Sequence, residues 1–257
     1  MLIAQITDTH LGERLRIDGQ EVDPAARLGE AVAHINGLAP RPDFVVATGD
    51  LTADGRPEDY ALVAEQLGRL AMPFTVIPGN HDEREALRAA FPNRPWAELP
   101  GGFLHHVVAL EPLRLIALDT IIPGESGGAL CAERLAWLEA QLDEAPGQPT
   151  LIAMHHPPVS IGIEAFDAVA CRDGPALGAL LRGYDCVEAV ICGHVHRPIS
   201  LRWAGTVVHV SPSSSYQYAL ELRDGQPLRP VDEPRAIRLL TWLPDSGLVA
   251  HLSPIGG

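Results

Sequence analysis

Lysine is absent from this chain: all 19 basic residues of its 257 are arginine. No Walker A lysine can cradle a nucleotide's phosphates and no lysine can form a Schiff base, so P-loop and imine chemistries are excluded. Cysteine is scarce, and Cys131, Cys171, Cys186 and Cys192 show no C-x-x-C spacing. That pattern fits reduced structural thiols rather than a zinc knuckle or a disulfide framework. No run approaches the roughly 20 apolar residues of a membrane span. Leu2 to Ile6 is too short for a signal peptide and meets Asp8 almost at once. The expectation is a cytoplasmic protein with no membrane partner. Basic residues are also outnumbered, giving a net charge of −14. This weighs against a partner as long as a nucleic acid strand, which is held by neutralising phosphates. A small anionic substrate stays compatible, because divalent ions can reverse the local field.

What the chain does contain is five short apolar runs that each end in a metal-binding side chain. LIAQIT runs into Asp8-Thr9-His10, FVVAT into Gly49-Asp50, and FTVIP into Gly79-Asn80-His81-Asp82. LIAM runs into His155-His156, and EAVIC into Gly193-His194-Val195-His196. Runs of this length, rich in Val and Ile and stopped by Gly or Pro, read as buried strands. In α/β sheets ligands bind beyond the carboxyl ends of strands. The side chains should therefore converge on one rim, with the composition of a two-metal hydrolytic centre.

Helical spacing between these runs completes a β-α-β-α-β rhythm and a sheet that begins parallel. Helices are expected from Pro24 to Asn36, from Pro57 to Leu70, and from Asp82-Glu83 through Ala90. Phe103 to Leu110 and Leu113 to Leu118 read as a hairpin, and Glu133 to Leu142 as a helix. Ile199 to Trp203 with Thr206 to Val210, and Ile237 to Leu243 with Leu248 to Leu252, read as two more hairpins. Two strand sets in one chain suggest two packed sheets.

Taken together, D-x-H, G-D, G-N-H-D, H-H and G-H-x-H in this order resemble the calcineurin-like metallophosphoesterases. The resemblance runs from Leu2 to about Val210. It implies an α/β fold, a four-layer αββα sandwich of two mixed sheets flanked by helices. Residues 1–212 would form the metallophosphoesterase domain, and 213–257 a C-terminal extension serving as a cap or dimer-contact hairpin. By the same resemblance Asp8, His10, Asp50 and His196 would hold one metal ion. Asp50 would bridge to a second, completed by Asn80, His155 and His194.

Residue chemistry agrees with that assignment. Asp8 and His10 lie two apart, as do His194 and His196, so on an extended chain each pair faces one side. Asp50 could span two ions, Asn80 offers a neutral oxygen, and imidazoles with carboxylates suit Fe, Mn, Zn or Co better than Ca. His81 is expected to stabilise the developing charge or protonate the leaving oxygen, oriented by Asp82 or another carboxylate, and Asp50 and Asn80 complete the catalytic set. His156 is read as support beside the ligand His155; His34, His105, His106, His209 and His251 are read as non-ligands.

The D-T-H, G-D-L-T-A-D-G, P-G-N-H-D, M-H-H-P-P and C-G-H-V-H blocks are similar to the bacterial class III cyclic-nucleotide phosphodiesterases and their glycerophosphodiesterase relatives. The implied reaction is attack on phosphorus by water activated between two ions, on a small-molecule phosphodiester. Phosphomonoesterase, nuclease and non-catalytic scaffold readings are the alternatives. Leu11 to Asp23, Ile121 to Leu130 and Val159 to Arg172 are expected to line the pocket. A homo-oligomer, dimer or higher, is expected from the related enzymes.

Overall fold

Side chains alternate along the strands of the computed structural model, which describes residues 1–96 and 102–256, and this alternation sorts the chain into layers. The elements begin β1 (Leu2–Ile6), the short pair β2 (Arg16–Ile17) and β3 (Gln20–Glu21), α1 (Pro24–Gly37) and β4 (Phe44–Thr48). Then come α2 (Pro57–Leu67), β5 (Phe74–Ile77), α3 (Arg84–Ala90), β6 (His106–Leu110) and β7 (Leu113–Ala117). The chain continues through α4 (Ala132–Glu144), β8 (Thr150–Ala153), the single turn α5 (Glu164–Asp167), α6 (Gly174–Leu181) and β9 (Val187–Cys192). It ends with β10 (Ile199–Trp203), β11 (Thr206–Val210), the short pair β12 (Gln217–Tyr218) and β13 (Pro230–Val231), β14 (Ala236–Leu243) and β15 (Gly247–Pro254).

Two mixed sheets result. One has the order β15-β14-β1-β4-β5 and the other β10-β11-β9-β8-β7-β6. Ile3, Val46 and Ile77 point inward from the first sheet and meet Leu115, Leu151 and Ile191 of the second. The alternate residues Ala4, Val45 and Val76 face outward, onto Leu28 and Val32 of α1 and Val63 of α2. Ile116, Ile152 and Val190 do the same on the far side, against Leu138 of α4 and Leu177 of α6. The fold is thus the four-layer αββα sandwich that the family resemblance implied. Each large side chain removed from water stabilises it by about 1.5–3 kcal/mol before entropy is counted.

Between the sheets, at the end where the ligands sit, one polar residue replaces the apolar packing. Gln5 donates to Thr48 Oγ1 at 2.8 Å and to the Cys192 carbonyl at 3.0 Å, and accepts from Ser211 Oγ at 2.6 Å. A fully partnered buried amide of this kind fixes one register between the sheets.

The last 45 residues build both sheet and site wall. β14 pairs antiparallel with β1, Leu2 opposite Thr241, and β15 covers the outer edge of β14. Elsewhere the sequence reading needs adjustment. The strand expected from Phe103 begins only at His106, because Asp119 captures the preceding residues through Leu104 N–H and His105 Nδ1. α2 stops at Leu67 rather than Leu70, capped by the N–H of Gly68 on the Ala64 carbonyl. α1 carries on through Gly37. Among the described residues no helix is long and apolar enough to cross a membrane.

Candidate metal centre

Asp8, His10, Asp50, His194 and His196 all adopt a left-handed backbone, with φ between 48° and 72°. They make up five of the seven non-glycine residues with positive φ among the described residues. Side chains reach this region at a cost of about 1–3 kcal/mol each, and such strain collects at functional sites. The ligands therefore leave their strands on tight turns. The face-sharing expected of an extended D-x-H or H-x-H is not what joins them; the left-handed turns aim each pair into the same space.

Those turns bring together every side chain expected to ligate. His10 Nε2 and His196 Nε2 face each other at 3.1 Å, and His196 Nε2 lies 3.5 Å from Asp8 Oδ1. His155 Nε2 lies 3.2 Å from Asp50 Oδ2 and 4.0 Å from Asp8 Oδ1, while His10 Nε2 is 3.7 Å from Asp50 Oδ2. Asp8, His10 and His196 form one compact ligand group, Asp8, Asp50 and His155 another, and His194 joins His155 and His156 in a third. Asn80 lines the same cavity as His10, Asp50, His81, His194 and His196.

Glycines make the approach possible at two points. A Cβ on Gly79 would run into the carboxylate and backbone nitrogen of Asp50, and one on Gly193 into Thr7 Oγ1. Only a bare Cα lets these strand ends close on one another.

Hydrogen bonds set the tautomers. His155 Nδ1 lies 2.8 Å from the Thr48 carbonyl and His196 Nδ1 2.7 Å from the Tyr216 carbonyl. A carbonyl only accepts, so each Nδ1 carries the proton and each Nε2 keeps its lone pair for an ion. His155 Nε2, His194 Nε2 and Asn80 Oδ1 are buried without a hydrogen-bonding protein partner. Buried polar atoms are ordinarily satisfied. Lone pairs left free beside two buried carboxylates are a donor set that fits divalent cations.

The electrostatics point the same way. Burial opposes charge on Asp50, yet His155, His10 and His81 together outweigh it and hold the carboxyl well below the usual range. Burial also opposes charge on His155, but Asp50 and Asp8 raise it above an ordinary imidazole. His10 and His194 are driven down, first by burial. His10, His194 and His196 are thus held as neutral imidazoles around the Asp50 carboxylate, which shares its charge with His155.

His81 stands at the rim, exposed, its ring 4.9 Å from that of His10. Its N–H donates to Asp50 Oδ1 at 2.9 Å, and its Nδ1 lies 2.8 Å from the Ala53 carbonyl. The orienting partner is thus a backbone carbonyl, not the carboxylate expected. Asp82 is occupied beneath, accepting from Leu51 N, Thr52 N, Gly79 N and the Tyr60 hydroxyl. Burial would depress His81, but Asp50 and the Ala53 carbonyl raise it above an ordinary imidazole.

His156 has both ring nitrogens engaged, with Thr120 Oγ1 at 2.8 Å and the Ser126 carbonyl at 3.2 Å. It braces the Ser126 loop beside the ligands. The remaining histidines sit apart: His34 on Ser253, His209 on Ser200, His106 on Thr75, and His251 exposed. Arg197 contacts the Tyr218 carbonyl and pairs with Glu233 at 3.0 Å.

Of the three loops expected to line the pocket, two do so, through Ser126 and through Phe166 and Val169. Leu11 to Asp23 borders a separate surface groove instead. Tyr218 and Leu228 form a wall that the sequence reading missed. The nearest signal was the serine run after the last ligand, since Ser213 Oγ donates to the Asp8 carbonyl and Ser214 Oγ to that of Thr7.

The chain is similar to known proteins. Residues 1–198 match the family model described as calcineurin-like phosphoesterase. A probable glycerophosphodiester phosphodiesterase GpdQ of Arcobacter nitrofigilis is 41% identical over 257 residues, covering 100% of this chain and 94% of that one. A cAMP/cGMP dual specificity phosphodiesterase of Mycobacterium tuberculosis is 34% identical, covering 100% of this chain and 80% of that one. A dimetal phosphatase from Danio rerio shares the fold, with a TM-score of 0.69 at 15% identity over 99% of both chains. Five strand ends that converge on one cluster, three of them through left-handed turns, and a family model spanning most of the chain lead to one conclusion: this protein belongs to the calcineurin-like phosphoesterases.

Proposed function

We propose that this chain is a two-metal phosphodiesterase of small molecules, acting on glycerophosphodiesters or 3',5'-cyclic nucleotides. The observation that carries the reading is the convergence of seven side chains, several with free buried lone pairs, beside a rim histidine. Asp8, His10, Asp50 and His196 would hold one ion, and Asp50, Asn80, His155 and His194 the other. Fe, Mn, Zn or Co suits this set. Such ions supply Lewis acidity toward phosphoryl oxygens.

The chain's own residues do the rest. Thr48 and Tyr216 carbonyls fix the His155 and His196 rings, so the ligand atoms are held before substrate arrives. Water's oxygen bonds to phosphorus and one of its protons passes to solvent, as the bond from phosphorus to the leaving arm breaks. The His81 imidazolium, favoured by Asp50 and the Ala53 carbonyl, keeps its Nδ1–H on that carbonyl and gives its Nε2 proton to the departing oxygen. The relatives named glycerophosphodiester and cyclic nucleotide phosphodiesterases support this substrate range.

Two further parts of the reading concern the molecule's setting. Leu220 and Leu222, both largely exposed on the segment after β12, support a homo-oligomer through that face. The four free cysteines support a reducing compartment such as the cytoplasm.

The test is steady-state kcat/KM of the Mn-reconstituted protein on cyclic AMP and on a glycerophosphodiester, with a phosphomonoester as comparison. Turnover of either diester well above the monoester is the expected result. A protein that cleaves only the monoester is not a phosphodiesterase.

A further inference from the structure

Two unlike spaces meet at Asn80, His81 and Ser126. On one side lies a cavity of about 240 Å³ walled by Phe166, Val169, Tyr218 and Leu228 above the ligand histidines. On the other a cleft of about 350 Å³ opens between Asp54-Gly55 and Gly124-Glu125. The first sets that largely apolar wall over a polar floor of ligand side chains, and is smaller than the roughly 300–1,000 Å³ typical of pockets for drug-sized ligands. The second is polar.

The apolar wall is braced. Phe166 is only 5% exposed and meets the His194 ring at 5.6 Å and 75° and the Tyr218 ring at 5.6 Å and 65°. These edge-on contacts leave no parallel slot in which a nucleobase could stack. Glu164, two residues before Phe166, accepts the N–H of Gly225, between β12 and β13, and Arg197 holds the Tyr218 carbonyl. Both halves of the wall are therefore tied to each other and to the sheet. No arginine lines the cavity among the described residues, so it offers no partner for a second anionic group.

We infer that Phe166 and Leu228 are specificity-determining residues that restrict the arm of the diester which does not leave. The inference rests on the phosphodiesterase reading and deepens it. A compact, uncharged arm of glycerol size sits under Phe166, while the leaving arm emerges beside His81 into the polar cleft. A nucleoside on the walled side has to displace Phe166. In a cyclic nucleotide both ester oxygens belong to one ribose, so its two arms cannot part to the two sides. Linear diesters with one small arm are the substrates this shape selects.

Two esters with a common leaving arm isolate the effect: methyl p-nitrophenyl phosphate and thymidine 5'-(p-nitrophenyl phosphate), assayed with the Mn-loaded protein. Wild type should favour the methyl ester in kcat/KM by about tenfold or more, the scale on which a pocket wall discriminates. Phe166→Ala and Leu228→Ala should each narrow that ratio about fivefold by gaining on the thymidine ester. A wild-type ratio near one overturns the inference. So does an unchanged ratio in both variants when their melting temperatures match wild type. Failure of the wild type to cleave either ester overturns the phosphodiesterase reading, and this inference with it; failure of the ratio alone overturns only the wall.

Discussion

The Tyr60 hydroxyl, carried on α2, donates to the Asp82 carboxylate at 2.9 Å and accepts the N–H of Glu83 at 2.8 Å. Through Asp82 it reaches the backbone of Leu51, Thr52 and Gly79, so one buried phenol joins a helix to the two turns that present Asp50 and Asn80. Tyr60→Phe leaves Asp82 three backbone donors but strands the Glu83 N–H. We expect a loss of about 1–3 kcal/mol of stability, the cost of one unmade buried hydrogen bond. Urea unfolding measures it. Titration of the folded variant with Mn²⁺ should also show weaker binding than wild type, because the two turns are no longer held in register. An unchanged titration would confine the phenol to stability.

For His81, replacement by Ala should lower kcat by about 10²-fold or more, the usual weight of a positioned acid. Its ring approaches the ligands only from the rim, so metal content per chain should stay near wild type. Elemental analysis alongside kinetics separates the two roles; a variant that loses metal makes His81 a ligand.

Chelation should destabilise the fold. A ligand bound only by the native state raises stability by about 2.7 kcal/mol at one hundred times its dissociation constant. The melting temperature should therefore fall with EDTA and recover with added Mn²⁺ in a concentration-dependent way. Asp50→Asn, which weakens the carboxylate shared between the two ligand groups, should blunt that response and lower the bound metal below two ions. A melting temperature indifferent to EDTA would count against a resident centre.

Acid sensitivity has a component far from the metals. Burial pushes the His106 imidazole down to about 4 from its ordinary 6.5, on the inner side of its hydrogen bond to Thr75. The folded state then holds the proton more weakly than the unfolded chain. Between pH 6.5 and 4 the unfolded chain binds more protons, and stability falls as pH falls through that window. The full loss from this one residue is of the order of 3 kcal/mol. Across that range His106→Phe should show a shallower decline of the urea midpoint than wild type, though it starts lower without the Thr75 hydrogen bond. Parallel declines would remove His106 as the cause.

The ligands were legible because each apolar run ends in a side chain with few reasons to be there except coordination. Asp8, Asp50 and His194 need no long-range knowledge to be found. Their backbone state was not legible: a run such as Asp8-Thr9-His10 carries no glycine to announce a left-handed turn. The carbonyl that orients His81 was hidden for a different reason, since Ala53 has no polar side chain to attract notice. α6 escaped because Gly174, Pro175 and Gly178 interrupt its period, and the glycine is explained only by Trp203 packed against it. The Tyr218 and Leu228 wall depends on a hairpin with strands of two residues each, too short for any alternation to show.

β1 is synthesised well over two hundred residues before β14, yet Ile3 lies opposite Leu240. A nascent chain therefore displays Asp8 and His10 just beyond a strand whose one edge stays bare until β14 has emerged. Serines 213 and 214, which hold the backbone at Thr7 and Asp8, arrive late as well. An exposed edge of this kind invites mispairing, and contacts so distant along the chain close slowly. A metal centre at Asp8 and His10 would therefore be complete only once β14 and the serine run have docked on β1.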